Sequence, residues 1–185
     1  MIELLERPAV RHQVAPLSVE GYHRLRDWGL VPIKSELLNG LIVEKMTKSP
    51  LQTLILHRLY HHLAADLPAG LQLRKEDPLT LATSEPEPDI AIVAGSIEDY
   101  RDRHPDTALL VAEVAVSSSE LDRAKADLYA QAGVPSYWLV SPAEGIVEVY
   151  TGPGATSYEN VERHGAGQVL STWYGATIDI DALFA

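Results

Sequence analysis

The sequence contains no cysteine, so disulfide bridges, thiolate catalysis and cysteine-rich zinc sites are excluded. It also lacks a long apolar run. The longest, residues 108–116, is interrupted by Glu113 and is far shorter than the roughly 20 residues that span a bilayer. The N-terminus has no basic stretch followed by an apolar one, as a signal peptide would have. We therefore expect a cytoplasmic protein without a membrane partner.

Positive charge is scarce: 15 Lys and Arg face 26 Asp and Glu, for a net charge of −11. At first, this balance argues against a nucleic-acid partner. Residues 1–75, however, carry a net charge of +3, and the remainder carries −14. A mildly basic first part could contact phosphates while the acidic part holds a metal. An acidic surface that only keeps the protein soluble explains the same numbers, so charge alone does not decide.

The length of 185 residues, with 46% hydrophobic composition, suits one domain with a substantial core. We expect a single domain over residues 1–185, of which 1–16 form an N-terminal extension. Sequence patterns predict helices over 19–29, 50–67 and 119–132, and a two-stranded hairpin around Asn39-Gly40. Further strands are predicted near 71–76, 79–82, 89–93, 108–116, 137–140 and 146–150, before a strand-rich tail that closes on a short helix.

The strand, helix and strand between residues 108 and 140 predict a crossover unit. The fold class is therefore α/β (α+β), with a mixed sheet flanked by helices. In helix 50–67, the four-residue spacing of Leu51, Ile55, Leu59 and Leu63 predicts the buried face. The pair Tyr137-Trp138 is predicted to lie in the core, on a strand.

Glu113 stands in the apolar segment Leu110-Val-Ala-Glu-Val114. An ionised carboxylate in a strand buried on both faces loses much of its hydration, so it must be paired, protonated or bound to a metal. A half-exposed glutamate that pairs with an arginine at a strand end is the alternative. We interpret Glu113 as a metal-binding or catalytic residue.

Lys125 is predicted to lie on the core-facing side of helix 119–132. The 3.6-residue period places it in one arc with apolar residues, namely Leu121, Ala124, Leu128 and Ala132. The residues outside that arc are Asp122, Arg123, Ala126, Asp127 and Ala130. A lysine at such a position can extend its ammonium to solvent. The alternative, which we favour, is that it reaches back to Glu113 and satisfies the buried acid.

Asp89 follows Pro88 at the start of an apolar strand. Taken alone, it is a weak signal, since solvated aspartates are common at strand starts. Together with Glu113 and Lys125, however, it forms a set with a defined chemistry. Two carboxylates can hold Mg²⁺ and leave coordination positions for water and a phosphodiester. A neighbouring lysine can orient the water and stabilise developing charge.

These residues belong to an ordered set of segments that resembles the Uma-two family of restriction endonucleases, within the PD-(D/E)XK nuclease superfamily. The resemblance runs from about residue 17 to the C-terminus, through residues 36–40, 88–93, 110–114, 122–130 and 133–140. It implies a restriction-endonuclease-like fold, dependence on Mg²⁺ (with Mn²⁺ as a substitute) and hydrolysis of DNA phosphodiester bonds.

The resemblance also implies roles for particular residues. Glu36 matches the early acid of the family, Asp89 and Glu113 match its metal-binding pair, and Lys125 matches its lysine. The superfamily lysine usually stands two residues after the second acid, where this chain has Ala115. The chain departs from the family in having Ser117-Ser118-Ser119 where Ser-Pro-Ser is common, and Leu51 where a histidine is frequent.

Two further groups were considered as sites. His57 and His61 are four residues apart on a predicted helix, but no acid completes a zinc motif, so a polar helix face is favoured. Ser117 to Ser119 could bind phosphate through backbone amides at a helix N-terminus, although helix capping explains them as well.

Two functions from different classes remain open. The first is a Mg²⁺-dependent DNA endonuclease that uses Glu36, Asp89, Glu113 and Lys125. The second is a catalytically inactive module of the same fold that binds nucleic acid or protein, which the net acidity favours. For the first we expect a homodimer, since duplex cleavage needs two sites. Its interface would use apolar residues of the C-terminal half, including Trp138, Trp173 and Tyr174.

Overall fold

A computed structural model describes residues 7–11, 13–116 and 119–185 of the chain. Its helices are α1 (Pro8–Arg11), α2 (Val19–Asp27), α3 (Pro50–Ala64), α4 (Ser119–Gln131) and α5 (Ile180–Phe184), with a 3₁₀ turn over Ile97–Tyr100. Its strands are β1 (Ser35–Leu38), β2 (Leu41–Glu44), β3 (Leu71–Lys75), β4 (Ile90–Ala94), β5 (Leu110–Val114), β6 (Ser136–Ser141), β7 (Ile146–Pro153), β8 (Tyr158–His164), β9 (Val169–Ser171) and β10 (Thr177–Asp179).

The central element is a six-stranded sheet in the order β3-β4-β5-β6-β7-β8. Strands β5 and β6 pair in parallel and are joined through α4, whereas every other neighbouring pair is antiparallel. The mixed sheet and the crossover helix confirm the predicted fold class. Two small antiparallel pairs, β1–β2 and β9–β10, complete the strands of the described residues.

The two faces of the sheet bury separate cores, because alternate side chains of each strand point to opposite faces. Helix α3 covers one face with Ile55, Leu59 and Leu63, together with the segment from β9 to α5. Helix α4 covers the other face, which also receives Leu79 and Leu81. Among the described residues, no helix is both long and apolar enough to cross a membrane.

Local signals of turns and caps are confirmed. Asn39 and Gly40 both have positive φ, 48° and 78°, as the two-residue turn between antiparallel strands requires. The Ser18 and Ser49 side chains accept hydrogen bonds from backbone amides in the first turns of α2 and α3. Helix α3 ends at Ala64, three residues earlier than predicted, since Asp66 adopts a left-handed conformation at φ 59°.

The predicted strand at 79–82 is wrong. Leu79 and Leu81 are buried, but their amides donate to the carbonyls of Pro86 and Ser84 within the same loop. The alternating apolar pattern therefore reflects a loop that inserts leucines into the core, and the backbone joins no sheet ladder. Leu51 was also assigned wrongly, since it is 45% exposed at the first turn of α3.

The buried face predicted for α4 is partly wrong, although Lys125 is buried as predicted. Leu121 and Ala124 are exposed, whereas Asp122, Ala126 and Ala130 are buried. The reason is Tyr129, which is fully buried and is the largest side chain that the helix packs onto the sheet. Its position turns the buried face toward residues 122, 126 and 130.

The aromatic residues expected at a dimer interface divide between core and surface. Trp138 is buried in the core on the α3 face, so it offers no interface. Tyr174 is partly buried and donates to the Leu63 carbonyl, while Trp173 is 55% exposed. Ser117 and Ser118, considered above for phosphate contact, lie outside the described residues, as do residues 1–6 and 12 of the N-terminal extension.

Candidate metal and catalytic site

Asp89 and Glu113 meet at one end of neighbouring strands. Ile90 pairs with Ala112 in the antiparallel β4–β5 ladder, so the two acids stand opposite each other one register step further on. Residues directly opposite in such a pair point to the same face, with Cβ atoms roughly 4.5–5.5 Å apart. The register thus joins two carboxylates that are 24 residues apart in sequence.

Each of these carboxylates is held by the backbone of the other strand. The Asp89 amide donates to Oε2 of Glu113 at 3.1 Å, and the Val114 amide donates to Oδ2 of Asp89 at 2.8 Å. Both acids are only 5% exposed. Buried carboxylates need such donors because they have lost most of their hydration. The two hydrogen bonds also fix the direction in which the remaining lone pairs point.

Lys125 reaches this pair from α4. Its Nζ lies 3.0 Å from Oε1 of Glu113 and 2.9 Å from Oε2 of Glu36. Tyr129, one helical turn further on, donates its hydroxyl to the same Oε1 of Glu113 at 3.3 Å. The structure therefore brings together all four residues that the sequence singled out: Glu36, Asp89, Glu113 and Lys125.

The charges of this cluster perturb one another. Burial raises the pKa of Glu113 to about 8; the Lys125 ammonium opposes this rise, while the Asp89 and Glu36 carboxylates add to it. Burial by itself would lower the pKa of Lys125, but Glu113 and Glu36 outweigh burial and raise it above its usual range. Lys125 is therefore an ammonium at every physiological pH. With a pKa of about 8, Glu113 readily accepts a proton near neutral pH when the cluster holds no further cation.

Lys48 lies on the opposite side of Asp89 and was not predicted from the sequence. Its Nζ lies 2.5 Å from Oδ1 of Asp89 and 2.6 Å from Oε1 of Glu76. Burial would lower the pKa of Lys48, but the Asp89 and Glu76 carboxylates raise it above the ordinary lysine value. Asp89 thus has a charged lysine on one oxygen and a backbone donor on the other.

A buried acid outside the cleft fixes the position of α4. Glu148, 1% exposed on β7, accepts from Nε of Arg123 at 3.2 Å and from Nε of Arg163 at 3.0 Å. The Tyr150 hydroxyl also donates to it at 3.0 Å. Arg123 stands two residues before Lys125, so this cluster ties α4 to the sheet close to the lysine.

The site opens into a cleft with an accessible volume of about 90 Å³. Of the described residues that line it, three are lysines and six carry carboxylates, a formal excess of three negative charges. A larger cavity of about 670 Å³ lies elsewhere, beside His23, Arg26 and Arg103. We take the smaller cleft as the candidate site, because Glu36, Asp89, Glu113 and Lys125 all line it.

The donor atoms of the cleft fit a hard divalent cation. Asp89 and Glu113 present carboxylate oxygens, which Mg²⁺ prefers, and Mg²⁺ commonly binds through only one or two protein carboxylates plus water. Within the described ranges, no group of three or more His, Asp or Glu side chains is arranged to hold a metal. An ion here would accordingly keep several water or substrate ligands.

Sequence reasoning missed several residues that line the cleft or contact its charged groups. Tyr129 could have been found, since it stands four residues after Lys125 on the same helical face. Gln52, which donates to the Val114 carbonyl at 3.0 Å, and the Lys48–Glu76 pair carry no comparable local signal. They reach the site only through the packing of α3 and the register of β3.

The mixed sheet, with acids at two strand ends and a lysine from the crossover helix, defines a nuclease-like α/β domain. The family comparison agrees: the profile of the Uma2 family, described as "Putative restriction endonuclease", matches residues 19–174. The chain belongs to the Uma2 family.

The structural comparison adds a solved relative. The chain is similar to a protein from Anabaena variabilis described as "a putative nuclease belonging to DUF820", with a TM-score of 0.75 and 16% sequence identity. The alignment covers 91% of this chain and 98% of that chain. At this identity the likeness shows the fold alone. No curated protein sequence matches the chain.

Proposed function

We propose that this protein is a divalent-metal-dependent endonuclease that hydrolyses phosphodiester bonds in DNA. The observation that carries the proposal is the convergence of Asp89, Glu113 and Lys125, all 5% exposed, at one strand end. A purely structural role gives no reason to bury two carboxylates side by side, because their mutual repulsion and desolvation are unfavourable.

The charge of the cleft supports dependence on a metal. Its lining has a formal excess of three negative charges, which would repel a phosphodiester. Asp89 and Glu113 are the residues that would hold Mg²⁺, with Mn²⁺ as a substitute. When bound, such an ion polarises the phosphoryl oxygen and lowers the pKa of a coordinated water.

The chain's own residues supply positioning and charge. Lys125, held by Glu113 and Glu36, presents an ammonium that can orient the attacking water and stabilise the charge developing on the phosphate. Glu36 is in turn fixed by the Glu87 amide at 2.7 Å, so it keeps the lysine in place. Tyr129 holds Oε1 of Glu113 through its hydroxyl.

A nuclease assay on single- and double-stranded DNA and on RNA, with Mg²⁺, with Mn²⁺ and with EDTA, tests the proposal. We expect cleavage of DNA that requires the metal and is abolished in Glu113→Gln and Lys125→Ala. Asp127→Asn is the matched control, because Asp127 is an exposed acid on the same helix and lies outside the cleft. All three variants should retain the far-UV circular dichroism of the wild type.

Other outcomes contradict the proposal. Cleavage that persists in EDTA, or that survives both active-site substitutions, would assign the activity elsewhere. Specific DNA binding with no cleavage under any metal condition would favour the inactive binding module instead.

We further propose that the active form is a homodimer, since the described residues of one chain form a single cleft of this kind and duplex cleavage needs two sites related by an approximate two-fold axis. Of the three aromatic residues expected at such an interface, Trp173 is the most exposed, at 55%.

A further inference from the structure

The Lys48 ammonium occupies a position between two carboxylates at the edge of the proposed metal site. It lies 2.5 Å from Oδ1 of Asp89 and 2.6 Å from Oε1 of Glu76. These distances leave no room for another cation between the same two oxygens. The side chain is 19% exposed, so the ammonium is largely shielded from solvent.

The register of the sheet accounts for this arrangement. Lys75 pairs with Ile90 in the β3–β4 ladder, so Glu76 stands opposite Asp89 one step further on, and the Glu76 amide donates to the Asp89 carbonyl. Glu76, Asp89 and Glu113 therefore form a row across the ends of three neighbouring strands. Such a row offers two gaps between carboxylates.

The backbone at both ends of the Lys48 contact is fixed. Glu76 has φ 56°, a left-handed conformation that is unfavourable for a non-glycine residue and persists only where its surroundings impose it. Lys48 directly precedes Ser49, the residue that caps α3. The ammonium is thus presented from a helix start whose position is set by packing on the sheet.

Two-metal phosphodiesterases place cations on both sides of a shared carboxylate, about 3.5–4 Å apart. In this chain Asp89 is the central acid of the row: the gap toward Glu113 is the proposed metal site, and the gap toward Glu76 holds Lys48. An ammonium in that gap supplies one positive charge without a dissociable ion.

We propose that Lys48 fills the second cation position of this site, and that it thereby restricts the site to one divalent ion. The inference rests on the proposed function, because it takes Asp89 and Glu113 as the ligands of that first ion. Its consequence is that loss of the Lys48 ammonium creates a second ion site between Asp89 and Glu76.

The test counts Mn²⁺ ions on the full-length protein without nucleic acid, by isothermal titration calorimetry and by electron paramagnetic resonance. We expect one ion on the wild type and two on Lys48→Met, with the spectral signature of an exchange-coupled Mn²⁺ pair in the variant. Lys48→Met combined with Glu76→Gln should return to one ion, and Lys48→Arg, which keeps the charge, should bind one.

Lys45→Met is the matched control. Lys45 lies in the same cleft and is similarly buried, but its Nζ bonds the Glu87 carbonyl at 2.9 Å and does not contact Asp89. Removing its charge should leave the number of bound Mn²⁺ ions at one. Thermal denaturation of each variant separates a lost site from a lost fold, and Lys48→Gln, which also removes the charge, provides a second measurement if the methionine variant is unstable.

The outcomes distinguish this inference from the proposed function. One ion on both the wild type and Lys48→Met, without spin coupling, overturns the inference alone, as does a wild type that binds two. No ion on either protein overturns both. No ion on the wild type, but one on Lys48→Met that Glu76→Gln abolishes, refutes the proposed metal site and the limit of one ion, and leaves only the ammonium's occupation of the gap between Asp89 and Glu76 supported.

Discussion

Replacing Glu113 by glutamine should change how the stability of the metal-free protein depends on pH. The pKa of Glu113 is raised to about 8 in the folded state, from an ordinary value of 4.5, chiefly because the group is buried. An acid with a raised folded-state pKa contributes stability that is fully present below pH 4.5 and is lost as the pH rises toward 8. The wild type should therefore lose stability over this window.

The size of the effect follows from linkage. Each unit of pKa difference corresponds to roughly 1.4 kcal/mol, so a rise from 4.5 to about 8 sets an upper limit on the order of 5 kcal/mol. The charges of Lys125, Asp89 and Glu36 act on Glu113 at the same time, so only part of that limit should appear. A difference of about 2–3 kcal/mol in the unfolding free energy between pH 5 and pH 8 is the expected magnitude.

Urea denaturation of the wild type and Glu113→Gln, at pH values from 5 to 9 in EDTA, measures this difference. The stability of the variant relative to the wild type should increase as the pH rises. At pH 8, Mn²⁺ should raise the unfolding free energy of the wild type by roughly 2.7 kcal/mol when its concentration is a hundred times the dissociation constant. It should leave the unfolding free energy of the variant unchanged. Parallel stability profiles of the two proteins would refute the reasoning.

Three further predictions concern neighbouring groups. Glu148→Ala should lower the unfolding free energy in urea by about 1–3 kcal/mol at pH 7, because Arg123, Arg163 and Tyr150 lose their shared acceptor. The pKa of Glu148 is lowered, against its burial, by Arg123 and the Tyr150 hydroxyl, so this difference should shrink as the pH falls below 4.5. Tyr129→Phe should cost about 0.5–1.5 kcal/mol in the same assay and reduce cleavage less than Lys125→Ala does, since Lys125 still holds Glu113. Sedimentation should find a dimer at micromolar concentration that Trp173→Ala weakens; a monomeric wild type would leave a nicking enzyme or a binding module as the better interpretation.

Features set by local sequence were predictable. The apolar run around Glu113 identified β5 and its buried acid, and the Asn39-Gly40 turn identified the first hairpin. The crossover from β5 to β6 followed from the order of a strand, a helix and a strand. In each case the physical cause lies within a few consecutive residues, so one sequence is enough to reveal it.

Features set by packing were not predictable. The loop with Leu79 and Leu81 imitates a strand because a buried loop and a strand can show the same alternation. The face of α4 was misplaced because periodicity alone does not say which large side chain, here Tyr129, dominates the contact with the sheet. The contact of Lys48 with Glu76 depends on the register between β3 and β4, which local patterns leave open.

Lys125 comes from helix α4 and not from the strand that carries Glu113, so its position depends on how α4 is docked. Ala115, two residues after Glu113, is 4% exposed in the core beneath α4, where a small side chain lets the helix approach the sheet. A lysine on that strand would be placed by the sheet itself, whereas Lys125 is placed only as well as its helix is docked.

Three contacts serve that docking. Arg123 bonds Glu148 on β7, the Tyr137 hydroxyl donates to the Asp122 carbonyl at 2.7 Å, and Tyr129 packs against the sheet. They fall within two turns of the helix and surround Lys125. The helix thus gives the lysine two acids to bridge, Glu36 and Glu113, which come from separate parts of the fold. The position of the ammonium therefore depends on the docking of α4, the hairpin that carries Glu36 and the central sheet together.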